Sequence, residues 1–122
     1  MSRELKQKLI ALLEEQFIQS DDKVTFDYVM QRKIKSQGYY LQRNFAITVS
    51  SGRKGFIDCL VTSPDGQQCA IEIDKKSPRS RSLMKLNVLP DGMSGFVLLM
   101  NGRHPLRYIA DGVEVIRATR FK

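Results

Sequence analysis

The chain has 122 residues, 42% of them hydrophobic and 27% charged, which suits a single folded domain with one core spanning 1–122. No apolar run approaches the roughly 20 residues of a membrane helix, and the opening Met1-Ser2-Arg3-Glu4-Leu5-Lys6 lacks the apolar stretch of a signal peptide. Cys59 and Cys69, both inside apolar runs, read as small buried hydrophobes, with a disulfide or a metal pair as the alternative, and an intracellular, cytoplasmic setting of prokaryotic or phage type is expected.

The net charge of +7 is unevenly spread. Residues 1–74 hold ten Lys/Arg and ten Asp/Glu, whereas residues 75–122 hold ten Lys/Arg against Asp91, Asp111 and Glu114. Lys75, Lys76, Arg79, Arg81 and Lys85 crowd into the start of that basic half. Such a patch points to an anionic partner.

Leu5, Leu9, Leu12, Leu13 and Phe17 recur at helical spacing and predict an amphipathic helix over 3–19, with Glu14 and Glu15 flanking the apolar stripe. Ser20-Asp21-Asp22-Lys23 reads as a loop. Thr25 as N-cap, with Asp27 in the first turn, opens a second helix to about Ser36. Phe26, Val29, Met30 and Ile34 face inward, and Gly38 ends it. The period then changes. Leu41, Arg43, Phe45, Ile47 and Val49 alternate as in a strand, and Ser51-Gly52 is a turn.

Two further strands follow, over 54–62 and 68–74, separated by Ser63-Pro64-Asp65-Gly66. Proline presets φ and glycine supplies the positive φ, so this is a tight hairpin turn. Ser77 as N-cap and Pro78 as first residue start a third helix with Leu83, Leu86 and Leu89 inward, and Pro90-Asp91-Gly92 closes it. Gly95 to Met100 is a continuous apolar run of the kind buried on both faces. Asn101-Gly102 is a turn. Two short strands near 107–109 and 113–116, joined by Ala110-Asp111-Gly112, complete the chain. The expected fold class is α/β (α+β), with a mixed central sheet of about four strands, flanking helices, one βαβ crossover and a C-terminal hairpin.

The chemistry concentrates in the second hairpin. If its turn closes near Gln67, Asp58 falls opposite or diagonal to Glu72, and Asp74 shares the face of Glu72. Three carboxylates within apolar runs repel one another and lose hydration unless a cation or proton lies among them. Hard oxygen ligands of this kind suit Mg²⁺ or Mn²⁺. The basic residues at the start of the third helix, Arg79 and Arg81 beside Lys75 and Lys76, sit where free helix N–H groups also favour an anion such as phosphate. His104, the lone histidine, precedes Pro105 on a predicted loop, and no Gly-rich phosphate loop or Ser-His-Asp motif is present. Tyr39 and Tyr40 stand at a helix-to-strand junction, where they read as core or rim.

Asp58, Glu72-Ile73-Asp74 and this order of elements resemble the PD-(D/E)XK nuclease superfamily, the restriction-endonuclease-like or resolvase-like fold. That group shares an α-β-β-β-α-β core, with Asp on the second strand and (Asp/Glu)-X-Lys on the third. Residues 3–100 supply such a core, the second helix being an insertion. The resemblance implies a metal site of Asp58, Glu72 and the Ile73 carbonyl, and Mg²⁺-dependent hydrolysis of DNA phosphodiester bonds. The chain departs from the pattern where Asp74 stands in place of the lysine. Some restriction enzymes of the group carry Glu or Gln there, so Asp74 would serve as a further ligand or as the base orienting water. The missing cation would come from Lys76, if its strand runs that far, or from Lys85 on the next helix.

The implied protein is an endonuclease or exonuclease acting on DNA, structure-directed or nonspecific. It would work in repair, recombination or phage and mobile-element DNA processing, as a homodimer, with Lys75, Arg79, Arg81 and Lys85 on the nucleic acid and no nucleotide cofactor or membrane. Two alternatives stand beside it. One is a catalytically inactive nucleic-acid-binding module of the same fold. The other is a protein-interaction or inhibitory factor with a basic face.

Overall fold

The computed structural model describes residues 3–13, 16–17, 23–49, 52–100, 107–117 and 119–120. The elements in chain order are α1 (Arg3–Leu13), β1 (Gln16–Phe17), α2 (Lys23–Ser36), β2 (Tyr40–Thr48), β3 (Lys54–Thr62), β4 (Gln68–Asp74), α3 (Ser80–Asn87), β5 (Met93–Leu99), β6 (Arg107–Ala110), β7 (Val113–Arg117) and β8 (Thr119–Arg120). The expectations for Glu14, Glu15, the 20–22 loop, Ser51, the Asn101-Gly102 turn and His104 lie outside the described residues.

One mixed sheet of six strands, in the order β2-β3-β4-β5-β7-β6, carries the fold. β2, β3 and β4 form the expected antiparallel meander. The β4–α3–β5 crossover returns the chain parallel to β4. The C-terminal hairpin is part of this sheet rather than an appendage, because β7 lies parallel to β5 and leaves β6 at the edge. Its turn is tight, with Asp111 at φ 49 and Gly112 at φ 79, the two positive angles of a hairpin turn that matches strand twist.

The sheet is covered on both faces. Leu5, Leu9, Ile10 and Leu13 of α1 and Phe26, Met30 and Ile34 of α2 pack with Cys59, Val61, Cys69, Ile71, Ile73, Phe96, Leu98 and Met100. Leu83 and Leu86 of α3 pack on the other face with Ile47, Ile57, Ala70, Val97 and Leu99. β5 is thus buried on both sides, as its unbroken apolar run requires. Gly95 lets α3 approach, since a Cβ there would lie 2.8 Å from Leu86 and 3.1 Å from the Ala70 carbonyl.

Four boundaries differ from the sequence expectation. α1 stops at Leu13, and Gln16–Phe17 instead pair in parallel with Thr119–Arg120, a long-range partner that helical periodicity cannot register. α2 begins at Lys23, two residues before the expected cap at Thr25. α3 begins at Ser80 with Arg79 as its N-cap, not at Ser77-Pro78. The cause is Asp74, whose Oδ2 accepts the Arg79 N–H at 3.1 Å and holds that residue extended, at ψ 149. At its other end α3 stops at Asn87, so Pro90–Gly92 forms a separate turn into β5. In the turn between β3 and β4, Ser63 N–H bonds the Gln67 carbonyl at 2.9 Å and Gly66 has φ 90, as the Pro-Asp-Gly signal predicts.

Candidate active site

Antiparallel pairing of β3 with β4 runs from Thr62–Gln68 to Cys59–Ile71 and stops there. One step further, Asp58 and Glu72 would face each other. They exchange side-chain bonds instead. The Asp58 N–H donates to Glu72 Oε2 at 3.0 Å, and the Ile73 N–H donates to Asp58 Oδ2 at 2.8 Å. Two carboxylates therefore fill the gap where the strands part, each satisfying a backbone donor that the broken ladder would orphan. Cys59 and Cys69 lie on the α1/α2 face, buried and unbridged, and burial pushes both thiols up to about 12.

Glu72 is fully buried. Burial raises its carboxyl to about 7, with Asp58 adding to the rise and Lys85 opposing it. The Lys85 ammonium reaches Glu72 Oε1 from α3 and also donates to the Phe56 carbonyl at 2.7 Å. That ammonium is the partner of Oε1, an oxygen otherwise shut away from solvent. Lys85 is only 12% exposed, so it belongs to the interior of the site and not to the surface a polyanion would lie on. Its stem passes over Gly55, where a Cβ would sit 3.3 Å from Lys85 Cδ.

Asp74 shares the α3 side with Glu72 but is committed elsewhere. Arg79 holds both its oxygens, through its backbone N–H to Oδ2 and its guanidinium to Oδ1. Burial works against the Arg79 charge, but the adjoining Asp74 outweighs it and holds Arg79 above the usual arginine value. Lys76 is not brought to the acids. β4 ends at Asp74, Lys76 is exposed, and its carbonyl accepts a bond from Arg117 at 3.3 Å. Lys75 and Arg81 are exposed as well. Lys75, Lys76, Ser77 and Arg79 rim a cleft of about 410 Å³ floored by Ile73 and Met100. It opens at the carboxyl ends of the parallel pair β4 and β5, where open α/β sheets commonly receive ligands. Of the tyrosines, Tyr39 packs against the α1/α2 core and Tyr40 is exposed.

Among the described residues, no group of three or more His, Cys, Asp or Glu side chains is gathered so as to hold a metal ion. The structure brings together two carboxylates, Asp58 and Glu72, the peptide of Ile73, and Lys85. Three participants escape sequence reasoning. Gly55 makes room for the lysine, the Phe56 carbonyl anchors it, and Asn44 adopts a left-handed backbone at φ 53 beside Asp58. A glycine inside a strand and an asparagine inside another were the available signals.

No protein-family model, curated protein or solved structure matches this chain. No helix among the described residues is long and apolar enough to cross a membrane.

Proposed function

We propose that this chain is a Mg²⁺- or Mn²⁺-dependent deoxyribonuclease with a PD-(D/E)XK-type site, Asp58 and Glu72 holding the ion and Lys85 replacing the motif lysine. One observation carries the reading: the Lys85 ammonium lies on the Glu72 carboxylate, and Glu72 is hydrogen-bonded to Asp58. The sequence motif lacks its cation at position 74, and the helix returns one to the same carboxylate from eleven residues further on.

The donor set suits a hard divalent ion. The donors are hard oxygens: Asp58 is adjacent to Glu72, whose buried Oε1 carries the Lys85 ammonium, and the carbonyl of Ile73 follows Glu72 directly in the chain. A bound divalent ion supplies an activated water and neutralises charge on the phosphoryl oxygens. The protein's own contribution is positional. Asp58 and Glu72 are fixed by the Ile73 and Asp58 amides, so their geometry is set before substrate arrives. Lys85, held by the Phe56 carbonyl, is placed to orient the attacking water or to donate to a phosphoryl oxygen. Lys75, Lys76 and Arg81 give the approaching backbone its positive rim.

A second reading, a nucleic-acid-binding module without catalysis, is favoured by a specific observation. The chain's own cations already neutralise two of the three acids, Lys85 on Glu72 and Arg79 on Asp74. Cleavage separates the two readings. Purified protein with Mg²⁺ or Mn²⁺ is tested on plasmid, linear, branched and single-stranded DNA, beside Asp58→Ala, Lys85→Ala and Lys76→Ala. The nuclease reading expects turnover by wild type and by Lys76→Ala, and a loss on the order of a thousandfold in the other two. DNA binding without cleavage by wild type, with cleavage appearing in Asp74→Lys, establishes the binding module. Absence of both activities leaves the protein-interaction reading.

A further inference from the structure

Leu41, Phe45 and Ile47 occupy alternate positions of β2 and would share one face of a regular strand. They do not. Leu41 packs against the α1/α2 core, whereas Phe45 and Ile47 pack against the α3 core. β3 changes face in the same place: Ile57 belongs to the α3 side and Cys59 and Val61 to the α1/α2 side. The two strands are paired at Tyr40–Thr62 through Arg43–Cys59 and again from Phe45–Ile57 to Thr48–Lys54. The one position missing from that ladder is Asn44 opposite Asp58. Equal numbers of residues are skipped on each side, so register is kept while both strands turn over together. Asn44, at φ 53, is the residue that makes the turn on the β2 side.

From this coupled turnover we infer that Asn44 is a positioning residue for Asp58: its left-handed backbone lets β2 follow β3 through the twist that aims the Asp58 carboxylate at the Ile73 amide. Without the twist, Asp58 would continue the ladder with Glu72 and its side chain would stand on a sheet face. With it, the carboxylate lies between the parting strands and accepts the Ile73 N–H at 2.8 Å. Asparagine is among the few residues other than glycine that accept this conformation readily, and a β-branched residue does not. The inference deepens the nuclease proposal by naming what orients its first acid, and it rests on that proposal only for the catalytic consequence.

Amide hydrogen exchange in metal-free protein tests it directly. Asn44→Ala should accelerate exchange at Ile73 at least tenfold over wild type. Asn44→Gly, which keeps the left-handed backbone, should stay within about twofold of wild type. The amides of Val61 and Cys69, which pair further along the same hairpin, should hold their wild-type rates in both variants and so exclude general loosening. The same pair of variants is then assayed for DNA cleavage, with Asn44→Ala expected to lose kcat at unchanged KM and Asn44→Gly to retain it. Unchanged exchange at Ile73 in Asn44→Ala, equal acceleration of all three amides, or failure of glycine to restore the wild-type rate overturns the assignment. If wild type cleaves no DNA but Ile73 responds as stated, the nuclease proposal falls and the positioning role stands.

Discussion

Replacing Glu72 by Gln should remove a pH dependence of stability that the buried carboxyl imposes. In the unfolded chain Glu72 titrates near 4.5, and in the folded protein burial, reinforced by Asp58, moves it to about 7. Between those two values the folded form binds more protons than the unfolded one. Stability from this group is therefore complete below pH 4.5 and is lost as pH rises through about 7. A displacement of that size corresponds to roughly 3 kcal/mol at about 1.4 kcal/mol for each pH unit. In a domain of this length that amounts to a shift on the order of 10 °C in Tm. Glutamine retains an oxygen for the Asp58 N–H and cannot ionise, so Glu72→Gln should lack this component. Urea unfolding of both proteins at intervals from pH 4.5 to 8 measures it. The difference between the two curves isolates Glu72, since other titrating groups are common to both. Lys85 keeps its bond to the Phe56 carbonyl in the variant. Parallel curves would refute the argument, because the proton would then be bound alike in folded and unfolded protein.

Gly95→Ala should destabilise the fold by about 1–3 kcal/mol in urea unfolding, since its methyl meets Leu86 and Leu89 at under 3 Å and the Ala70 carbonyl at 3.1 Å. Arg79→Ala should cost about 2 kcal/mol, because Asp74, whose side chain is 1% exposed, loses its guanidinium partner. Arg81→Ala, on an exposed side chain, should change stability by less than about 0.5 kcal/mol. Equal costs for the two arginines would show that the Asp74 contact contributes nothing.

Much of the chain declares itself locally. Proline 64, Asp65 and Gly66 specify a turn through their own φ preferences, and the Asp111-Gly112 hairpin and the stop at Gly38 have the same origin. The β5 run is apolar at every position from Phe96 to Met100 because both faces are covered, so its burial is written in its composition. Asp58 and Glu72 are legible as a pair because a hairpin closed at a known turn brings them opposite by counting. Position 85 is legible only as one of two lysines, and the choice between them depends on where β4 ends.

What tertiary structure alone decided are the features in which distant segments meet. Helical spacing continues through Phe17, but Gln16–Phe17 form a strand with Thr119–Arg120, because a hydrogen-bonding partner a hundred residues away outweighs local period. The α3 start moved to Ser80 because Asp74 captures the Arg79 amide. Perfect alternation from Leu41 to Ile47 gave no hint that the strand changes face, because period fixes which residues share a side only while the backbone stays extended. One left-handed residue at Asn44 resets that parity. Residue preferences act over a few bonds and are visible in sequence; the placement of Lys85 over Glu72 arises from α3 packing across Gly55 and Gly95, and exists only once the sheet and helix have met.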